Sequence, residues 1–257
     1  MKKTLILLLV LILTTSLSLN AFGNESESRS WYIKRNGNKR PLLDEEQKII
    51  YKHNGYYIDE KLNDDSNEKR LYLTFDLGYS NENTLKIIDV LAKHNIPAAF
   101  FVLDNIILKN ADLVTRMINN GHLICNHSKN HKNLSSASAS MIKEDLISLE
   151  KLFNDNIGCE MSKYFRFPEG RYSPYSIKTV SELGYKTIFW SFAYEDWDNE
   201  KQMPPEKAFK KVIDNTHNGA VMLFHPTSKT NADIFERLII QWKSMGYEFG
   251  TLDDLTK

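Results

Sequence analysis

His122-Leu123-Ile124-Cys125-Asn126-His127-Ser128-Lys129-Asn130-His131 is a short apolar run that ends in a loop carrying two histidines four residues apart. The run reads as a buried strand, and the spacing lets both imidazoles turn toward one ion. A strand whose end opens on chemically active side chains is what barrel enzymes use to build a site. Taken alone, an H-x-x-x-H pair is as easily a chance surface or core pair. Its meaning depends on whether other strands end the same way.

They do. From Leu71 onward, short apolar runs alternate with helix-like segments, which predicts an α/β fold around a mostly parallel sheet. The runs are Leu71 to Phe75, Ala98 to Val102, His122 to Cys125, Tyr164 to Phe165, Thr187 to Trp190 and Ala220 to Phe224. Between them, Leu85, Ile88, Leu91 and Ala92 share a predicted helix face, as do Ile142, Leu146, Leu149 and Phe153. Ser173-Pro174 opens a further helix and Gly184 closes it. Asp76, the His127/His131 pair, Arg166, Asp196 with Trp197, and His225 each follow one of the runs. In a barrel these ends meet on one face.

The 257 residues suffice for one large domain or two small ones. A formal net charge of zero gives no sign of a nucleic-acid partner or a basic membrane patch. Residues 1–23 follow a secretory pattern, with Lys2 and Lys3, an apolar run from Leu5 to Leu13, and Ala21-Phe22-Gly23 where a peptidase would cut. An uncleaved anchor is the alternative, and either form places the working domain outside the cytoplasm. Residues 24–70 are expected to form a polar stretch, an arm with Trp31, Tyr51, Tyr56, Tyr57 and Ile58 as packing anchors, and a charged loop. The main domain is expected over 71–257. Of the two cysteines, Cys125 is expected as a buried free thiol, with a bridge to Cys159 left open. There is no glycine-rich phosphate loop, no G-x-S-x-G elbow and no CxxC.

In this order the residues resemble the polysaccharide deacetylase (NodB-homology, carbohydrate esterase family 4) domain. The matching stretches are Thr74-Phe75-Asp76-Leu77-Gly78, His127-Ser128-Lys129-Asn130-His131, Arg166-Phe167-Pro168-Glu169-Gly170, Asp196-Trp197 and Leu223-Phe224-His225. Gly78-Tyr79, the stretch Phe192 to Trp197, Ser228 to Ala232, Trp31 and Asn54 to Tyr57 look like the subgroup acting on muramic acid of spore peptidoglycan. The resemblance implies a distorted (β/α)7 barrel that removes N-acetyl groups from muramic acid, the step leading to muramic δ-lactam in spore cortex. Deacetylation of N-acetylglucosamine in peptidoglycan or chitin, and glycan binding without catalysis, are the competing readings. The implied setting is secreted or at the outer membrane face, cell wall or spore envelope. The implied partners are peptidoglycan strands, with an amidase removing the stem peptide first, and the chain is expected to be a monomer.

The resemblance also assigns roles. Asp76 is the expected general base and His225 the general acid. Arg166 would orient Asp76 and keep it ionised, and Asp196 would raise the basicity of His225. His127 and His131 would hold a divalent ion, zinc first, with manganese, cobalt or magnesium as alternatives. Trp197 and Leu223 would wall an acetyl pocket, and Tyr79 would touch the glycan. Each has a plainer reading: a capping Asp, a core histidine pair, an ion pair, a packed aromatic. Two departures stand out. Leu77 occupies the place where the family usually has a third, carboxylate ligand, so an aspartate there is expected to tighten zinc. Glu169 stands where the muramate subgroup tends to be basic.

Overall fold

The computed structural model describes residues 25–257, and the expected secretory segment, 1–23, lies outside them. In chain order the arm contributes β1 (Arg29–Ser30) and β2 (Gly55–Tyr56). The alternating region follows with β3 (Arg70–Leu77), α1 (Glu82–Lys93), β4 (Ala99–Val102), α2 (Asp104–Lys109), α3 (Ala111–Asn119) and β5 (Leu123–Asn126). Then come α4 (Ala139–Ile157), β6 (Ser162–Phe165), β7 (Arg171–Tyr172), α5 (Pro174–Glu182), β8 (Lys186–Ile188) and α6 (Pro205–Asp214). The chain ends with β9 (Ala220–Phe224), α7 (Lys229–Ser244), β10 (Glu248–Phe249) and α8 (Leu252–Leu255).

β2, β8, β6, β5, β4 and β3 lie side by side and parallel, and β9 and β10 also pair with β3. The sheet curls back on itself. Ile58, just beyond β2, bridges Ala220, and Phe192, just beyond β8, bridges Met222. The amide of Ser191 donates to the Val221 carbonyl at 3.0 Å, and that of Leu223 to the Phe192 carbonyl at 2.9 Å. Seven of these strands, all but the two-residue β10, thus ring the molecule as a distorted α/β barrel, as expected from the resemblance.

Side-chain alternation sorts each strand into two layers. On β3, Leu71, Leu73, Phe75 and Leu77 join one apolar cluster with Ile87, Ile88 and Leu91 of α1 and with Ile106 and Ile107 of α2. This is the layer between sheet and helices. Tyr72 instead joins Phe101, Cys125, Ile188 and Val221 in a second cluster inside the ring. Thr74 and Asp76 share the inner face of β3 with Tyr72. β3 therefore runs through Asp76 and Leu77, two residues beyond the apolar run read as a strand.

Local signals set the helices. Asn81 caps α1 by accepting from the amides of Asn83 and Thr84, and Ser173 caps α5 with Pro174 in its first turn. The buried face of α1 differs from expectation. Thr84, Ile87, Ile88 and Leu91 face inward, whereas Leu85 is 43% exposed. Both sets satisfy helical spacing nearly as well, and docking onto the sheet selects between them. The face expected on α4, Ile142, Leu146, Leu149 and Phe153, is buried. Cys125 is a buried free thiol and Cys159 an exposed one, so no bridge forms.

The arm is built into the ring. β2 pairs with β8, and β1 pairs with β7. Trp31 stacks on Phe189 at 4.3 Å between ring centroids, and its indole N–H donates to the Trp190 carbonyl at 2.9 Å.

Candidate active site

Asp76 stands at the inner end of β3, at the mouth of the barrel. The guanidinium of Arg166, the first residue past β6, donates to Asp76 Oδ1 at 2.8 Å and to Thr74 Oγ1 at 2.9 Å. Its Nε donates to the Ile188 carbonyl at 2.9 Å, and the guanidinium lies 4.2 Å from the Phe101 ring centroid. Arg166 is fully buried, so it needs these acceptors. It reaches across the interior and fixes one oxygen of Asp76 while the other is left free.

That other oxygen, Oδ2, lies 3.5 Å from His127 Nε2. His127 Nδ1 is 2.9 Å from the Arg166 carbonyl. The carbonyl can only accept, so Nδ1 carries the proton and Nε2 keeps its lone pair. Burial pulls the His127 pKa down to about 4 against the opposing effect of Asp76. The ring is therefore neutral near pH 7. Burial also works to raise the Asp76 carboxyl, but His127 and His225 in their protonated forms, together with the Arg166 guanidinium, outweigh it and the pKa is lowered. Of these, Arg166 is charged at every working pH.

The loop after β5 places His131 beside His127, with ring centroids 5.1 Å apart. Ser128 and His131 both adopt the left-handed backbone region, at φ 67° and 59°. Ser128 is tied there by its amide, which donates to Asn126 Oδ1 at 2.9 Å. The turn folds the four-residue spacing back so that both rings meet.

His225 follows β9 and leans on Asp196. Its Nδ1 is 2.7 Å from Asp196 Oδ1, and its backbone amide donates to Asp196 Oδ2 at 2.8 Å. Burial disfavours the charged ring, but Asp196 more than offsets this and the His225 pKa is raised. Nδ1–H is held by the carboxylate, which leaves Nε2 as the working nitrogen.

Asp76, Arg166, His127, His131, Asp196 and His225 thus form two adjoining units, one around Asp76 and one around His225. The remaining candidates line up differently. Leu223 is buried on the face of β9 shared with Val221, across from Thr74. Trp197 is 62% exposed, so it offers a face to solvent and does not seal a pocket. Tyr79 is 51% exposed, and its hydroxyl pairs with Asn199. Glu169 is an exposed residue at φ 56° that pairs with Arg171 at 2.9 Å. Thr74 and Asn231 were missed by reading the sequence. Thr74 shares the strand face of Asp76 two residues on, a signal that period-two reading carries. Asn231, which donates to Asp196 Oδ2 at 2.6 Å, lies in the Ser228 to Ala232 stretch of the resemblance, which gave it no role.

The side chains present fit a divalent cation only in part. Two imidazoles and a nearby carboxylate oxygen are donors that zinc accepts, and a neutral His127 is in its ligating form. Among the described residues, no group of three or more His, Cys, Asp and Glu side chains is gathered into a cage. Leu77 explains why. Its side chain is fully buried in the outer apolar cluster with Phe75 and Val102, on the face opposite Asp76. An aspartate at 77 would extend into that layer, contrary to the expectation that it would meet the ion.

Comparison with known proteins identifies the chain's relatives. The polysaccharide deacetylase family profile matches residues 63–188. The chain is 35% identical over 232 residues to the peptidoglycan-N-acetylmuramic acid deacetylase PdaA of Bacillus subtilis, covering 90% of this chain and 86% of that protein. The solved structure of B. subtilis PdaA, described as a family 4 carbohydrate esterase, superposes with a TM-score of 0.83 at 34% identity, covering 90% of this chain and 97% of that one. The peptidoglycan-N-acetylglucosamine deacetylase PgdA of Listeria monocytogenes is 34% identical over 190 residues, 73% of this chain and 39% of that protein. A family 4 acetyl xylan esterase from Clostridium thermocellum, solved with a cobalt ion, superposes with a TM-score of 0.64 at 28% identity, covering 73% and 90%.

Proposed function

The chain belongs to the polysaccharide deacetylase family, carbohydrate esterase family 4, and from that premise we propose that it hydrolyses the N-acetyl groups of peptidoglycan muramic acid. The observation that carries this reading is the pairing of an ionised, half-free carboxylate with a carboxylate-backed imidazole at one barrel mouth. Likeness to a muramic acid deacetylase over nine-tenths of the chain supports the choice of sugar.

The chemistry follows from the two units. Asp76 Oδ2 accepts a proton from water as the water oxygen attacks the acetyl carbonyl carbon. Arg166 holds the opposite oxygen, so the base keeps its orientation and its charge. As the C–N bond of the tetrahedral intermediate breaks, His225 Nε2–H gives its proton to the departing amine. Asp196 supports the imidazolium needed for that transfer. The products are acetate and a free amine. A divalent ion held by His127 and His131 would supply Lewis-acid charge at the carbonyl. Leu223 on the inner face and the exposed Trp197 and Tyr79 are assigned to acetyl and glycan contacts.

The free amine is what closure onto the lactyl carboxyl would consume, which fits δ-lactam formation in spore cortex. A prior amidase step would expose that carboxyl. The N-terminal segment supports action outside the cytoplasm, at the cell wall. Among the described residues no helix is long and apolar enough to cross a membrane.

The test is acetate release from peptide-free glycan containing muramic acid and, in parallel, from chitin oligomers, with and without added Zn²⁺, Mn²⁺, Co²⁺ or Mg²⁺. Release from the muramic acid glycan is expected. Release from chitin oligomers alone would move the assignment to N-acetylglucosamine. Glycan binding without acetate under every metal would leave a binding protein.

A further inference from the structure

Asp196 is almost fully buried, yet among the described residues nothing cationic other than His225 touches it. Three donors hold it: the His225 ring, the His225 backbone amide, and the side-chain amide of Asn231 at 2.6 Å. Asn231 lies in the first turn of α7, where its own amide is held by the Ser228 hydroxyl that caps the helix. Its side chain is fully buried. A primary amide has two hydrogens to give and one oxygen to receive. Here both hydrogens are used, toward Asp196 Oδ2 and, at 3.2 Å, toward the His225 carbonyl. The oxygen accepts from the hydroxyl of Tyr194, itself buried.

We propose that Asn231 is a positioning residue for His225, acting through Asp196, and that Tyr194 fixes which way its amide points. The inference rests on the reading of His225 as the proton donor. The geometry allows one orientation of the amide. Turned over, its oxygen would face the Asp196 carboxylate, two acceptors with no proton between them. Tyr194 would meet the NH₂ instead of the oxygen. With the observed orientation, the outer oxygen of Asp196 is pinned by two N–H groups and the inner oxygen is aimed at His225 Nδ1. The imidazole is then held in the tautomer that presents Nε2 to the substrate. Without Asn231 the carboxylate keeps only contacts to His225 itself, and nothing independent fixes its plane.

A packing role and a positioning role predict different results. Asn231→Leu keeps roughly the volume and removes the donor. Positioning predicts a fall in kcat of about tenfold or more, the scale of one hydrogen bond to a charged group, with KM nearly unchanged. On an Asp196→Asn background the same substitution should cost nothing further, because the residue it acts through is gone. The His225 imidazole titration, followed by NMR in the intact protein, should move down toward its position in Asp196→Asn. Tyr194→Phe should shift it in the same direction by less, and stands in for Asn231→Leu if that variant fails to fold. Additive losses in the double variant, or an unchanged His225 titration in both single variants, would overturn the proposal. The NMR titration needs no substrate, so it answers even if the protein releases no acetate from any glycan tested.

Discussion

At the scale of single residues, the site separates two groups by the sign of their perturbation. Arg166 helps to lower the pKa of Asp76, and Asp196 raises that of His225. Asp76→Asn retains the hydrogen-bonding shape but removes the base, so acetate release should fall by about 10²- to 10⁴-fold with folding intact. Turnover near that of the parent protein would remove Asp76 from the role. The pH profile follows from the two directions. Asp76 has a lowered pKa, so its own protonation removes activity only below the usual carboxylate range. His225 has a raised pKa, so activity is lost on the alkaline side as pH rises through it. Asp196→Asn removes the main support for the imidazolium, and the alkaline limb of kcat/KM should move to lower pH. A limb that stays in place would mean another group donates the proton. The identities of Asp76, His127, His131, Arg166, Asp196 and His225 were legible in the sequence because each follows a strand-like run. The hydrogen-bond partners that tune them, Thr74 and Asn231, were not, because they become neighbours only through the fold.

At the scale of elements, strand alternation decides what position 77 can do. Asp76 and Leu77 are adjacent in sequence, but their side chains enter different layers. Leu77→Asp would put a carboxyl among Phe75, Val102 and Ile106, where an unpaired polar group costs several kcal/mol or takes up a proton. The variant should unfold at markedly lower denaturant, and isothermal titration should find zinc binding no tighter than in the parent. Tighter binding would show that the end of β3 can turn residue 77 into the site. The same reasoning explains α1. Helical spacing alone left two rows of apolar residues nearly equivalent, and contact with the sheet buried Ile87 in preference to Leu85.

At the scale of the whole molecule, the ring closes only with help from the arm. β2 pairs with β8, Ile58 bridges Ala220, and Trp31, Ile50 and Tyr57 lie in the cluster with Phe165 and Phe189. A chain beginning at residue 71 would lose that strand and expose that cluster. It should show no cooperative thermal transition by circular dichroism, whereas residues 25–257 should melt in one. A sharp melt of the shortened chain would show that the ring holds without its arm. Buried histidines set the acid limit of stability. His122 packs edge-on to Phe100 at 5.4 Å, and among the described residues neither ring nitrogen has a hydrogen-bond partner. Burial lowers its pKa from the ordinary 6.5 to about 4, and burial does the same to His217. The unfolded chain therefore binds more protons between these values. Stability is full above about pH 6.5 and is lost as pH falls toward 4, by up to about 3 kcal/mol for His122 alone. His122→Leu should flatten the fall in melting temperature between pH 7 and 5. An unchanged slope would mean that His122 charges without penalty.

The sequence by itself determined the rhythm of strands and helices, the family, and which polar residues stand at strand ends. These are local properties: periodicity, caps and residue type within a few positions. Tertiary structure decided the layer that each strand residue enters, the row that each helix buries, and the closure of the ring by residues 55–58. It also decided the partners that hold Asp76 and Asp196 in place. Arg166 meets Asp76 across 90 positions of chain, and Asn231 meets Asp196 across 35. Such contacts are selected by packing density and by the need of each buried polar atom for a partner, and neither can be evaluated until the chain has closed around them.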